Sequence, residues 1–291
     1  MKGSDGMSYL LSPKVDFVFK KIFGNEKHPE ILISFLNAVI KPQSLIKSVQ
    51  IRNTDIDKEY LSDKYSKLDI KALTDKGEYV NIEIQVKNEY NMIKRSLYYW
   101  SKLFESQIVK GDDYDKLERT ICINILDFKY LKNDNFHNTY RLKEINTNEE
   151  LTDTMEIHFI EIPKLKHFDD TDEVVDMLEA WVSFIKNPDS KIVDKLEMSR
   201  SEIREAKAQL IKISGDSKER ERYEMRMESM LEKTSSLNSA ERKGREEGLK
   251  EGAKKEKLEI ANNLILNGLD DELISKSTGL SLEEIKNLRN N

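Results

Sequence analysis

Two short runs on either side of residue 76 alternate polar and apolar residues, and they constrain the fold more than any other feature of the chain. They are Lys67-Leu68-Asp69-Ile70-Lys71 and Asn81-Ile82-Glu83-Ile84-Gln85-Val86-Lys87. Alternation with a period of two is typical of half-buried β-strands. The Thr74-Asp75-Lys76-Gly77 segment between them has the composition of a turn. The sequence therefore predicts a β-hairpin with one polar face and one apolar face.

The polar face of this hairpin brings two acids together. A hairpin centred on Lys76 places Asp69 opposite Glu83, because both lie seven residues from the centre. Opposed residues on one face have Cβ atoms about 5 Å apart. Two carboxylates that close repel each other unless something positive lies between them, and Mg²⁺ prefers such oxygen ligands. The alternative interpretation is a solvated hairpin edge without chemistry.

The hairpin residues carry a resemblance to a known family. Asp69 followed by Glu83-Ile84-Gln85 resembles the D…ExK core of the PD-(D/E)XK nuclease superfamily. The E-x-Q form is more similar to the recombination-promoting nuclease and putative transposase family. Segments 16–24, 35–38, 95–99 and 102–103 also resemble that family, so the likeness covers roughly the first half of the chain. Gln85 stands where the wider superfamily has lysine, so the positive charge would come from Lys87 or the chemistry would depend more on metal.

The resemblance implies a metal-dependent DNA endonuclease. Asp69 and Glu83 would bind Mg²⁺ or Mn²⁺, with Asp16 as an assisting metal ligand. Gln85 would orient the attacking water or bind the metal through its carbonyl, and Lys87 would offset charge on the phosphate. The biological context implied is DNA breakage that promotes recombination, in mobile-element transfer or phage defence.

Several roles and two other functions stay open. Asp16 is also explained as a favourable charge at a helix amino end, and Arg95 either faces the phosphodiester or is a helix surface charge. An inactive or regulatory binding and oligomerisation protein on a nuclease fold fits the same residues, as does a nuclease for RNA or structured junctions. The four histidines have no metal-ligand spacing, and no nucleotide-binding glycine motif occurs, so no nucleotide cofactor is expected.

Composition limits the partners and the compartment. Charged residues make up 35% of the 291 residues and the net charge is −6, so any DNA contact must come from a local basic patch. The single cysteine, Cys122, excludes an internal disulfide and fits a reducing cytoplasm. No apolar run approaches the roughly 20 residues that a membrane span needs.

The order of predicted elements gives the fold class, which is α/β. Residues 7–168 are expected to form a restriction-endonuclease-like mixed sheet flanked by helices. Residues 1–6 are excluded as a possible addition before a start at Met7. The predicted elements are helices at 14–23, 30–40 and 91–110, and strands at 44–53, 119–126 and 155–162 besides the hairpin.

An α-helical C-terminal extension follows this core. Residues 169–257 are expected to form charged helices, including one over 190–213, with a hinge or fraying helix at Gly244, Gly248 and Gly252. Residues 258–291 predict a three-helix tail resembling a helix-turn-helix, with a capping box from Ser281 to Glu284. The tail is weakly acidic, and its last helix sets Glu283 and Glu284 against Lys286 and Arg289, which argues against sequence-specific DNA binding. The thin apolar stripe of the extension predicts a homodimer or docking on the core.

Overall fold

A mixed β-sheet forms the centre of the protein. The computed structural model describes residues 9–52, 70–166 and 176–290, which divide into two compact units, residues 1–223 and 224–291. The described strands are β1 (Val49–Arg52), β2 (Ile70–Thr74), β3 (Tyr79–Gln85), β4 (Thr120–Leu126), β5 (His137–Lys143) and β6 (Glu150–Glu161). They are arranged in the order β1-β2-β3-β4-β6-β5. The pairs β3–β4 and β4–β6 are parallel, and the other pairs are antiparallel.

Helices cover both faces of this sheet. The described helices are α1 (Asp16–Phe23), α2 (Pro29–Ile40), α3 (Met92–Glu105), α4 (Met177–Lys186), α5 (Lys191–Ser199), α6 (Ser201–Gly215), α7 (Ser217–Leu266), α8 (Asp271–Thr278) and α9 (Leu282–Arg289). Helix α1 ends against Ile70, which pairs with Ile82, whereas α3 packs through Met92 on Cys122, which pairs with Asn81. Because adjacent strand residues point to opposite faces, α1 and α3 lie on opposite faces. The predicted fold class is confirmed.

The apolar core explains why β4 is central and why α4–α6 belong to the first unit. Every residue of β4 is buried, as expected for a parallel strand covered on both faces. Trp181 of α4 is fully buried, with its ring centroid 5.2 Å from that of Phe23 and 6.4 Å from that of Phe35. Helices α4 and α6 pack on α2, and α6 also packs on α1. The packing of α4–α6 on α1 and α2 does not decide where the nuclease-like core ends. The domain boundary predicted after residue 168 therefore stays a prediction.

Several predicted elements differ from the structure. Strand β5 is missing from the prediction, because its sequence HNTYRLK is polar and lies at the sheet edge. The predicted 190–213 helix is two helices, which meet at Arg200 in extended conformation (φ −125°, ψ 109°). A hinge or fraying helix was predicted at the three glycines of α7, which is one helix through all of them; the hinge stays a prediction. Each helical glycine costs about 1 kcal/mol relative to alanine, and the other 47 residues of this 50-residue helix outweigh that cost.

The second unit ends in a small helical bundle. The last turns of α7 pack with α8 and α9 around Ala261, Ile274, Leu280 and Ile285. Gly279 adopts φ +70° in the turn between α8 and α9, a conformation that L side chains rarely adopt. The predicted capping box is confirmed, because Ser281 and Glu284 each bond the other's backbone N–H. None of the described helices is both long and apolar enough to cross a membrane.

Candidate active site

Glu83 is a buried acid in the middle of β3. It is 3% exposed and lies under α3, where Arg95 Nε is 3.3 Å from its Oε2 atom. The Arg95 guanidinium also lies 3.7 Å from Glu89 and over the ring of Tyr99, 5.4 Å from the centroid. Burying a charge is costly unless it is paired, so the placement of Arg95 is what makes a buried Glu83 tolerable. Buried, specifically paired acids of this kind concentrate at functional sites.

The polar face of the hairpin is therefore covered. Asn81 is 2% exposed, and Asn124 of the neighbouring strand is also 2% exposed. Asn124 Nδ2 donates to Ser96 Oγ of α3 at 2.9 Å and to the carbonyl oxygen of His158 at 3.0 Å. A solvated hairpin edge was the alternative interpretation, and the burial of Asn81 and Glu83 contradicts it.

The hairpin register agrees with the sequence analysis wherever it is described. Ile70 pairs with Ile82 and Leu73 pairs with Tyr79, so the hairpin is centred on Lys76 as predicted. Gly77 makes the turn with φ +80°. Asp69 lies outside the described residues, immediately before Ile70. Its position opposite Glu83 therefore stays a prediction, based on continuing this register by one residue.

Two further predicted site residues follow Glu83 at the end of β3. Gln85 is the last residue of the strand, and its Nε2 atom donates to the backbone carbonyl of Lys87 at 3.2 Å. The Lys87 side chain is folded inward: its Nζ atom is buried and has no hydrogen-bond partner among the described residues. An ammonium buried without a partner is costly. The Lys87 ammonium is therefore suited to pair with an anion that is not among the described residues, such as a phosphate of a bound substrate.

Asp16 lies on a different element from these residues. It is the first residue of α1, and its Oδ1 atom accepts from the backbone N–H of Phe17 at 2.9 Å. The segment before it is tied to the carboxyl end of β4, since Lys14 Nζ lies 2.7 Å from Asp127 Oδ2. Helix α1 nevertheless packs on the face of the sheet opposite Glu83. A shared ligand role for Asp16 stays a prediction.

The oxygen ligands of Glu83 and Gln85 fit a hard divalent cation if a second acid joins them. Within residues 9–52, 70–166 and 176–290, no three His, Cys, Asp or Glu side chains converge on one point. Glu83 supplies carboxylate oxygens and Gln85 an amide oxygen, and these are ligand types that Mg²⁺ accepts. Asp69 is the residue that would complete the set, and it lies outside those ranges.

Family models identify the chain. The model described as "PD-(D/E)XK nuclease family transposase" matches residues 13–240. The chain belongs to this family. A second model, the C-terminal HTH domain of the Rpn/YhgA-like nuclease family, matches residues 254–290. Neither the curated proteins nor the solved structures include a significant match. The resemblance stated from the sequence is thereby confirmed, and this nuclease-family membership suggests DNA binding.

A second polar cluster lies outside the candidate nuclease site. The sequence did not predict it. His137 Nε2 lies 2.9 Å from His158 Nδ1, and His158 Nε2 lies 2.7 Å from Glu156 Oε1. Arg119 bridges Glu156 at 2.7 Å and Glu78 at 2.9 Å. His158 is aligned with Ile123 in β4 and so points to the face opposite Glu83. The 21-residue separation of the two histidines gives no local signal for this contact.

This cluster makes stability depend on pH. Burial and the neighbouring His158 lower the pKa of His137 from 6.5 to about 4, with Lys41 adding to the effect and Asp176 and Glu156 opposing it. Between pH 6.5 and 4 the unfolded chain therefore binds a proton that the folded chain does not, and stability falls as the pH decreases. We expect His137→Gln to lose less stability over this interval than the wild type, measured by urea denaturation at about pH 7, 5.5 and 4.5. Equal losses would show that His137 titrates normally.

Proposed function

We propose that the protein is a metal-dependent DNA endonuclease of the recombination-promoting type. The observation that carries this proposal is the buried Glu83 in β3, with Gln85 and Lys87 following it at the strand end, in a chain of the PD-(D/E)XK nuclease family. Glu83 is paired with Arg95, and the Lys87 ammonium that follows it is also buried. Metal-dependent hydrolysis of a phosphodiester uses acids that hold the metal and a cation that offsets charge on the phosphate.

Each residue then has a distinct task. Asp69 and Glu83 would hold Mg²⁺ or Mn²⁺, and Asp16 would assist as a further ligand. A bound Mg²⁺ would polarise the scissile phosphate and activate a water molecule. Gln85 positions that water or adds a carbonyl ligand. The buried Lys87 ammonium compensates negative charge on the phosphate oxygens, where its missing hydrogen-bond partner would be supplied by substrate.

The contacts of Arg95 indicate its role in the same site. Its guanidinium is the cation beside Glu83, at 3.3 Å, and Glu89 and Tyr99 hold it in place. It places a positive charge beside the buried Glu83 carboxylate, which offsets part of the cost of burying that acid. It also presents a planar, permanently charged group of the kind that binds phosphate.

The experiment that tests this function is cleavage of supercoiled plasmid with Mg²⁺ or Mn²⁺, with EDTA as control. We expect nicked and linear products only with metal. RNA and branched-junction substrates of equal length are compared in parallel. Preferential cleavage of either would replace DNA as the substrate. No cleavage of any substrate, together with no Mn²⁺ binding by calorimetry, would favour the inactive binding protein.

Further features of the proposal concern assembly and compartment. We propose a homodimer, because the 50-residue helix α7 exposes Met225, Leu231, Leu237 and Leu249 along its length. Two sites in one dimer would cut both strands of a duplex. Light scattering should then give the mass of a dimer for the full chain and of a monomer for a chain ending at Tyr223, and equal stoichiometry would contradict this.

The free, buried thiol of Cys122 fits a reducing cytoplasm.

A further inference from the structure

A cleft with a basic lining lies between α1 and the α6–α7 junction, outside the site described above. Its volume is about 700 Å³. The side chains lining it include five basic ones, Lys20, Lys21, Lys27, Lys212 and Arg222, against three acidic ones, Glu26, Asp216 and Glu219. The protein as a whole carries a net charge of −6. A local excess of positive charge on an acidic protein is therefore a marked feature of this surface.

Two of the three acids are already engaged within the fold. Glu219 Oε1 lies 2.7 Å from Lys21 Nζ. Asp216 Oδ1 accepts from the backbone N–H groups of Lys218 and Glu219 at 2.9 and 3.1 Å, and so caps the start of α7. These contacts leave the exposed Lys27 and Lys212 without an ion pair among the described residues. The five basic side chains outnumber the three acidic ones, so the lining of the cleft keeps a net positive charge.

The positive charge is also held in place by packing. Arg222 lies over the ring of Phe17, with its guanidinium carbon 4.9 Å from the centroid. Phe17 is nearly buried and also contacts the ring of Tyr223 edge-on, at 6.4 Å. A guanidinium stacked on an aromatic ring keeps its hydrogen-bond donors directed outward. Such donors bind phosphate oxygens well.

The position of the cleft connects it to the candidate active site. Gly24 lines the cleft, and a Cβ atom at Gly24 would lie 3.6 Å from Ile70 Cγ1. Ile70 pairs with Ile82, the neighbour of Glu83 in β3. The cleft therefore borders the strand pair that carries the site, from the opposite face of the sheet. One turn of duplex DNA is about 34 Å long, so a duplex can contact protein surfaces well beyond the bond that is cut.

We propose that this cleft binds the phosphate backbone of duplex DNA away from the cut site. The inference rests on the proposed nuclease function, because it assigns the cleft to the same substrate. Lys27, Lys212 and Arg222 contact phosphates and not bases, so the cleft adds affinity without sequence preference. The ligand is a polyanion with closely spaced phosphates. Helices α6 and α7, which follow the sheet in the chain, thereby become part of the substrate-binding surface.

The test is DNA binding by the full-length protein in EDTA, where no cleavage occurs. Fluorescence anisotropy with a labelled duplex of about three helical turns is measured for the wild type, for Lys27→Glu with Lys212→Glu, and for a matched control. The control is Lys110→Glu with Lys143→Glu. Both lysines are exposed and lie near the amino ends of β4 and β6, whereas the candidate site lies toward the carboxyl end of β3. Thermal melting confirms that both double variants fold, and Lys27→Gln with Lys212→Gln repeats the test with a milder change.

We expect the cleft variant to bind DNA at least about tenfold more weakly than the wild type, with the control within about twofold. Its plot of log affinity against log salt should be less steep by about 2, one for each lysine that no longer neutralises a phosphate. Equal affinities for cleft and control variants would overturn the proposal, as would a cleft-dependent weakening seen with duplex RNA but not DNA. Because binding is measured without metal, this result is independent of whether the wild type cleaves DNA.

Discussion

Replacing Glu83 with glutamine should lower the rate of Mg²⁺-dependent DNA cleavage by about 10³-fold or more while the protein stays folded. The substitution keeps the size of a side chain that is 3% exposed and removes only its charge. Loss of one charged metal ligand costs several kcal/mol of transition-state stabilisation, and each 1.4 kcal/mol is about a factor of ten in rate. Single-turnover cleavage of a labelled duplex at saturating enzyme measures this directly.

Glu89 provides the matched control for this prediction. It lies 3.7 Å from the same arginine but is not part of the proposed metal set. Glu89→Gln should therefore lower the rate by no more than about 10- to 100-fold, the scale of a surrounding group that does not bind the metal. Calorimetry with Mn²⁺ should show binding abolished in Glu83→Gln and retained in Glu89→Gln. Wild-type cleavage by Glu83→Gln would show that the site has been assigned to the wrong residue.

Replacing Lys87 with methionine should lower the cleavage rate by about 10²-fold, the effect of removing one preorganised electrostatic stabiliser. The Lys87 Nζ atom is buried and has no hydrogen-bond partner among the described residues. Methionine has a similar length and is apolar, so it removes an uncompensated buried charge and should leave the melting temperature unchanged or raised. The exposed Lys110→Met is the control with the same chemical change, and it should keep the wild-type rate.

The same experiment separates the tasks of Lys87 and Gln85. If Lys87 supplies the charge that E-x-K nucleases take from their lysine, then Gln85→Lys should be tolerated, because it adds a cation at a half-buried strand end. An inactive Gln85→Lys protein beside an active Lys87→Met protein would reverse this assignment. Gln85 would then be the direct ligand, and Lys87 would have no role in the chemistry.

The part of the fold that was predictable is the part specified by local pattern. The alternation on either side of Lys76 predicted the register that the structure shows. The apolar run of residues 120–126 predicted a central strand, and β4 is fully buried. Strand β5 could not be found in this way, because an edge strand needs few apolar residues. The continuity of α7 through three glycines depends on the sum of its other residues, which no local breaker rule captures.

Only part of the candidate site could be predicted from the sequence, because the rest depends on contacts between distant residues. Glu83, Gln85 and Lys87 follow from alternation and motif, but the burial of Glu83 depends on α3 crossing above it. That contact joins residues 83 and 95 through the Arg95 guanidinium, which the sequence left undecided between site and surface. One local signal was present: Asn124 interrupts an apolar strand, and it is the residue aligned with Glu83 in β4. A buried amide in such a strand indicates a polar contact above it.

A crystal of the protein soaked in Mn²⁺ shows directly whether Glu83 binds a divalent metal. The anomalous difference map identifies manganese without reference to the protein atoms. We expect a peak bound by the Glu83 carboxylate, with Asp69 as the second acidic ligand, and no such peak in Glu83→Gln crystals. A peak bound by other residues, or no peak at a Mn²⁺ concentration that supports DNA cleavage, would contradict this expectation.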